Sequence, residues 1–188
     1  MEFLKKAYFF FLDFMQTVLL AASVFLVIYI FLFRPFQVSG ESMFSTFKNK
    51  EYILTNLVAM RFEEPKRGDV IVFHSPTDKE KDFIKRVIGT PGDSVAVHEG
   101  SVYVNGIKLN ESVYLDKEIK TYGGAFLRDG ADPVLVPDGS YIVMGDNRPY
   151  SSDSREWGLL RKDEIIGKSF FVYWPITTAR LISNPFDK

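Results

Sequence analysis

From Phe14 to Phe33 the chain runs for 20 residues without a charge. At ~1.5 Å of rise per residue, a helix of that length reaches across a hydrocarbon layer of about 30 Å. The apolar stretch begins at Ala7, and Asp13 and Gln16 are its early polar exceptions. It shows no polar face, unlike the buried helix of a soluble domain. It is also longer than the roughly 7–15 apolar residues of a cleaved leader, although Val38-Ser39-Gly40 faintly resembles a small-residue cleavage site. Arg34 and Pro35 are expected to stop the helix, since proline has no N–H and clashes with the preceding turn. Residues 1–34 therefore read as an anchor crossing the bilayer once. Lys5 and Lys6 face Arg34, Lys48 and Lys50 across it. The excess of cations expected on the cytoplasmic side is assigned to Lys5 and Lys6. This puts the N-terminus inside the cell membrane and the rest of the chain on the extracytoplasmic face.

The remaining residues, 35–188, are enough for one domain with its own core. A formal net charge of −1 provides no basic field for nucleic acid. The absence of cysteine excludes thiol catalysis and Cys-based zinc sites. Short β-type runs alternate with turn residues: 51–58, 69–73, 83–88, 94–97, 101–104, 107–109, 141–144 and 169–174. Asn105-Gly106 is a two-residue hairpin signal. The even spacing predicts a mostly β fold, an antiparallel sheet domain after one transmembrane helix. Residues 110–138 mix charges with Gly123, Gly124 and Gly130 and lack periodicity. They read as a small irregular insertion or cap, or equally as a loop.

Ser42, between Gly40-Glu41 and Met43, stands just beyond the anchor, where it can meet a substrate held in the bilayer. A reactive serine needs a base and a donor for the oxyanion. Gly40 permits the sharp turn that would free the Ser42 N–H for the second task. His74 and His98 read as surface or turn residues. A lysine base must shed its proton well below its usual value of ~10.4, which calls for burial among apolar groups. Two lysines on apolar strands fit: Lys85, with Phe83 and Val87 on its face, and Lys168, in Ile165 to Phe171. The residues alone do not separate them. The densest polar stretch, Gly145 to Arg155, is either a turn or support for such a lysine. In the second reading Ser151 orients the amine, and Asp153 and Arg155 form a rigid pair beside it. The carboxylates there lack the spacing of a calcium loop.

These blocks resemble the type I signal peptidases, membrane-bound serine endopeptidases that remove signal peptides from exported preproteins. The resemblance runs from the anchor through Phe36 to Met43, Tyr52 to Leu54, Arg67 to Phe73, Lys85 to Gly89 and Pro91 to Asp93. It continues in Gly145 to Arg148, Ser151 to Arg155 and Trp157-Gly158. It implies Ser42 as nucleophile, Lys85 as general base, Ser151 as the serine that steadies the lysine, and Asp153 and Arg155 as the supporting pair. It implies that Val38 and Ile84 line small pockets for the −1 and −3 residues of an Ala-x-Ala substrate, with Met43 and Phe83 also contacting it. No metal or organic cofactor is required. Two departures stand out. Ser45 replaces the usual proline. Gly40 stands where some members carry a serine whose hydroxyl joins the oxyanion hole, leaving Ser39 or a water to substitute. The alternative is a non-catalytic membrane-anchored β module that binds exported proteins. A third reading, a Ser/Lys peptidase that cleaves itself or a regulator, fits the anchor and the Gly145 to Arg155 block less well.

Overall fold

The computed structural model of the chain describes residues 1–116 and 118–187; Lys117, inside the expected insertion, and Lys188, at the expected end of the domain, lie outside them. A single long helix, α1 (Glu2–Phe31), comes first. Its stretch Glu2–Tyr29 is apolar and long enough to cross a membrane, and its most apolar window is unburied among the described residues. Thr17 and Ser23 turn their hydroxyls onto carbonyls four residues back, at 2.8 Å each, so these polar groups are satisfied within the helix.

The expected stop at Arg34-Pro35 is corrected. The helix ends at Phe31, where the Leu32 N–H still reaches Ile28 O at 2.9 Å. Phe33 already opens strand β1 (Phe33–Gln37), which contains both Arg34 and Pro35. Proline is tolerated there because β1 is an edge strand, laddered only to its neighbour.

The strands that follow are β2 (Tyr52–Asn56), β3 (Val70–His74), β4 (Asp82–Gly89), β5 (Ser94–His98), β6 (Ser101–Val104), β7 (Ile107–Lys108), β8 (Val134–Leu135), β9 (Ser140–Met144), β10 (Leu160–Arg161), β11 (Ile165–Trp174) and β12 (Arg180–Leu181). Two short helices interrupt them, α2 (Ala59–Phe62) and α3 (Ser154–Trp157). An eight-stranded sheet runs β1-β2-β11-β3-β4-β9-β10, with β12 added to β11, and a four-stranded sheet runs β7-β6-β5-β8. Every strand pairing is antiparallel. The chain is thus mostly β behind one apolar N-terminal helix. Asn105 (φ 54°) and Gly106 (φ 76°) form the tight turn between β6 and β7, with the two positive φ values that such a hairpin demands.

Both faces of the large sheet are covered, so β3 reads as the unbroken run Val70-Ile71-Val72-Phe73. Val70 and Val72 join Val38, Met43, Phe47, Ile53 and Val172 on one face. Ile71 and Phe73 join Val87, Tyr141, Val143 and Leu160 on the other. A third cluster, with Ile88, Val95, Val102, Leu127, Ile142 and Met144, joins the small sheet to the large one. Among the described residues of 111–137 regular structure is confined to β8, yet Leu115, Leu127 and Val136 are buried.

Candidate active site

The loop between β1 and β2 carries Ser42. Its neck is closed by Val38 N–H donating to Glu51 O and Lys50 N–H to Val38 O, at 2.8 Å each. Gly40 has φ +94°, and a Cβ there would meet no atom within 4 Å. Backbone conformation, not space, therefore asks for glycine at this position. A hydrogen-bonded turn follows, in which Phe47 N–H bonds Met43 O at 2.8 Å. It drops Met43 and Phe47 together into the core. Ser42 is held at the rim of this buried turn.

Lys85 comes from the middle of β4. Its Nζ lies 2.7 Å from Ser42 Oγ and 3.0 Å from Ile84 O. The residue is 4% exposed, and the amine sits 5.2 Å from the Phe83 ring centroid. Burial lowers its pKa from 10.5 to about 8. The carboxylates of Asp153 and Asp146 pull the value back up, and the Arg155 charge lowers it further. Lys168, the other candidate by sequence, is ion-paired to Asp69 at 2.7 Å with its side chain 27% exposed. Neither histidine joins the pair. His74 bonds Asp82 at 2.9 Å, and His98 stacks on Tyr103 at 3.7 Å between ring centroids.

The segment after β9 holds the serine loop in place. Asn147 N–H donates to Ser42 O at 2.9 Å and its Nδ2 to Glu41 O at 3.0 Å. Thr46 Oγ1 donates to Asp146 Oδ2 at 2.5 Å, and that carboxylate accepts Arg86 Nε at 2.9 Å and Arg86 Nη2 at 2.7 Å. Gly145 is pressed against this junction: a Cβ there would lie 2.4 Å from Ser42 O and 2.2 Å from Ser151 Oγ. Asp153 and Arg155 make the expected pair, Nε to Oδ1 at 2.8 Å and Nη2 to Oδ2 at 2.9 Å. The backbone N–H groups of Arg155 and Gly145 add two further bonds to the carboxylate, at 3.2 Å and 3.0 Å. Burial alone would raise the Asp153 pKa, but the bonds and charge of Arg155 and the Gly145 N–H outweigh it and lower the value.

The expected bond from Ser151 to the lysine is not made. Lys85 Nζ is engaged with Ser42 Oγ and Ile84 O, while the buried Ser151 Oγ makes no well-formed hydrogen bond among the described residues and sits close enough to Asp153 to help lower its pKa. Gly145 lets the Ser151 side chain approach the backbone so closely that its hydroxyl packs there instead. Several supporting residues were given no individual role by the sequence. Arg86, Asp146, Asn147 and Arg148 stood in polar motifs with no local sign of their partners. Glu111, in the aperiodic insertion, gave no signal; it pairs with the buried Arg148 and accepts the Tyr114 hydroxyl at 2.6 Å. The Arg86 guanidinium lies 4.3 Å over the Tyr114 ring, so the insertion braces both halves of the support.

Ser42 and Lys85 open into a cleft of about 410 Å³ whose walls include Val38, Ile53, Val72, Phe83 and Ile84. The structure therefore brings Val38, Phe83 and Ile84 to one cavity with the serine and the lysine. Met43 is a correction: it is 1% exposed and lies in the core, because the hydrogen-bonded turn after Ser42 places it inward beside Phe47.

A serine hydroxyl, a buried amine and a largely apolar cleft lie together, and known proteins carry a related sequence. Residues 11–174 match the family model described as signal peptidase, peptidase S26. The chain is 34% identical over 186 residues to signal peptidase IB of Staphylococcus aureus, covering 92% of this chain and 96% of that one. It is 38% identical over 173 residues to signal peptidase I S of Bacillus subtilis, covering 90% and 92%. A solved signal peptidase I from Enterococcus faecalis aligns with TM-score 0.47 and 30% identity, covering 56% of this chain and 97% of that one. The chain belongs to the signal peptidase family of serine peptidases, peptidase S26.

Proposed function

We propose that this protein removes signal peptides from preproteins with Ser42 as nucleophile and Lys85 as general base, cleaving after small residues in the pattern Ala-x-Ala. The observation that supports this reading most is the 2.7 Å approach of a buried, depressed amine to one serine hydroxyl at the mouth of an apolar cleft.

The substrate enters extended. Strand β9 pairs with β4 only from Arg86 onward, which leaves the edge of residues 82–85 free to take a substrate strand. Small side chains at −1 and −3 fit against Val38 and Ile84. Neutral Lys85 takes the Ser42 proton as Oγ attacks the scissile carbonyl. The Ser42 N–H holds the developing oxyanion. Protonated Lys85 then passes its proton to the leaving amine as the C–N bond breaks, and the acyl group stays on Oγ. Water, deprotonated by the same amine, releases the acid. Asp153 and Arg155 fix the floor behind the dyad, and Asn147 fixes the serine carbonyl.

Helix α1 crosses the cell membrane once, with Lys5 and Lys6 on the cytoplasmic side and the catalytic domain on the other. Anchoring both enzyme and preprotein in one bilayer raises their effective concentration. Net charge of −1 gives nucleic acid no purchase. The test is cleavage of a preprotein bearing Ala-x-Ala by the full chain and by Ser42→Ala and Lys85→Arg. Both variants are expected to be inactive, because arginine stays protonated. Activity that survives Ser42→Ala in purified protein excludes the proposed nucleophile, and activity that survives Lys85→Arg excludes the base.

A further inference from the structure

The apolar cleft ends in a carboxylate that the chemistry of the dyad leaves unused. Asp82 opens β4 and lines the same cleft as Ser42 and Ile84. Period two places it on the Ile84 face of the strand, ~7 Å farther from the serine. His74 lies opposite it across the ladder and holds Asp82 Oδ1 with Nδ1 at 2.9 Å. The carboxylate still keeps 31% of its side-chain surface open. The nearby Lys81 is turned to Asp78 at 2.7 Å.

An extended substrate advances ~3.3 Å per residue and turns alternate side chains to one face. With −1 at Ser42 and −3 over Ile84, the next side chain on that face, −5, comes over Asp82. We propose that Asp82 is a specificity-determining residue that reads charge at the −5 position, favouring a cationic or hydrogen-bond-donating side chain and rejecting an acidic one. The inference rests on the reading of this cleft as the signal-peptide site.

The test uses the full chain and three Ala-x-Ala peptides that differ only in Lys, Gln or Glu at −5. Wild type should cleave the Lys peptide with a kcat/KM about 2- to 30-fold above the Glu peptide, the range expected when one partly exposed charge pair is exchanged for a repulsive one. Asp82→Asn should bring that ratio close to one, and Asp82→Lys should reverse it. The ratio should also shrink as ionic strength rises from ~0.01 M to ~1 M, where the screening length falls from about 30 Å to about 3 Å. Equal cleavage of the Lys and Glu peptides by wild type overturns the inference and leaves the dyad standing, as does a preference that persists in Asp82→Asn. Failure to cleave any of the three peptides, or cleavage by Ser42→Ala, overturns the underlying reading instead.

Discussion

Replacing Lys85 by methionine removes a buried amine while keeping most of its apolar length. Wild type pays for that amine in stability. Its pKa falls from 10.5 to about 8 on folding, which corresponds to roughly 3 kcal/mol at ~1.4 kcal/mol per pH unit. Between pH 8 and pH 10.5 the unfolded chain holds a proton that the folded chain has lost. Stability therefore rises with pH across that window; the penalty is full below it and gone above it. The methionine variant escapes the penalty but loses the hydrogen bond to Ser42, worth about 1 kcal/mol. It should therefore be more stable than wild type by about 2 kcal/mol at pH 7 and by less as the pH approaches 10.5. For a chain of this size that is a Tm increase of ~4–8 °C. Denaturant unfolding of both proteins at several pH values measures the gap. The variant should be inactive, while wild-type kcat/KM should fall about tenfold per pH unit below about 8. A variant less stable than wild type at pH 7, or a gap that does not close at high pH, would refute the claim that desolvation holds this amine in its reactive state.

Three other substitutions probe the surroundings of the dyad. Gly145→Ala pushes a methyl group to within 2.4 Å of Ser42 O, so kcat should drop by on the order of 100-fold, in line with misplacement of a reacting group, as single-turnover kinetics would show. Asp153→Asn removes a charge that raises the Lys85 pKa, so the acidic limb of the pH profile should move to lower pH. Breaking the buried pair with Arg155 should also lower unfolding stability by roughly 3–5 kcal/mol. Ser151→Ala deletes a buried hydroxyl that makes no well-formed hydrogen bond among the described residues, so stability in a denaturant titration should change by less than ~1 kcal/mol.

Much of the architecture was legible because it rests on local patterns. Twenty uncharged residues dictate a helix wherever they are placed, and the Asn105-Gly106 turn dictates its hairpin. Strands β1, β8, β10 and β12 were not legible. The last three have two residues each, and β1 holds a charge and a proline, so each exists because a neighbouring strand offers its edge, as β2 does for Arg34 and Pro35. Glu111 was hidden for a related reason: its partner Arg148 lies in another loop, and no periodicity links the two. Met43 shows the opposite error, since the resemblance placed it at the substrate, whereas the turn after Ser42 buries it in the core.

By itself the sequence determined that a lysine base would have to come from an apolar strand, and it left Lys85 and Lys168 equal on that count. Only the tertiary structure separates their surroundings. Lys168 reaches Asp69 and forms a partly exposed ion pair, while Lys85 meets a hydroxyl in a desolvated pocket that disfavours its charged form. A strand's alternation fixes which face a side chain takes, but the group it meets there depends on where a loop from another part of the chain comes to rest.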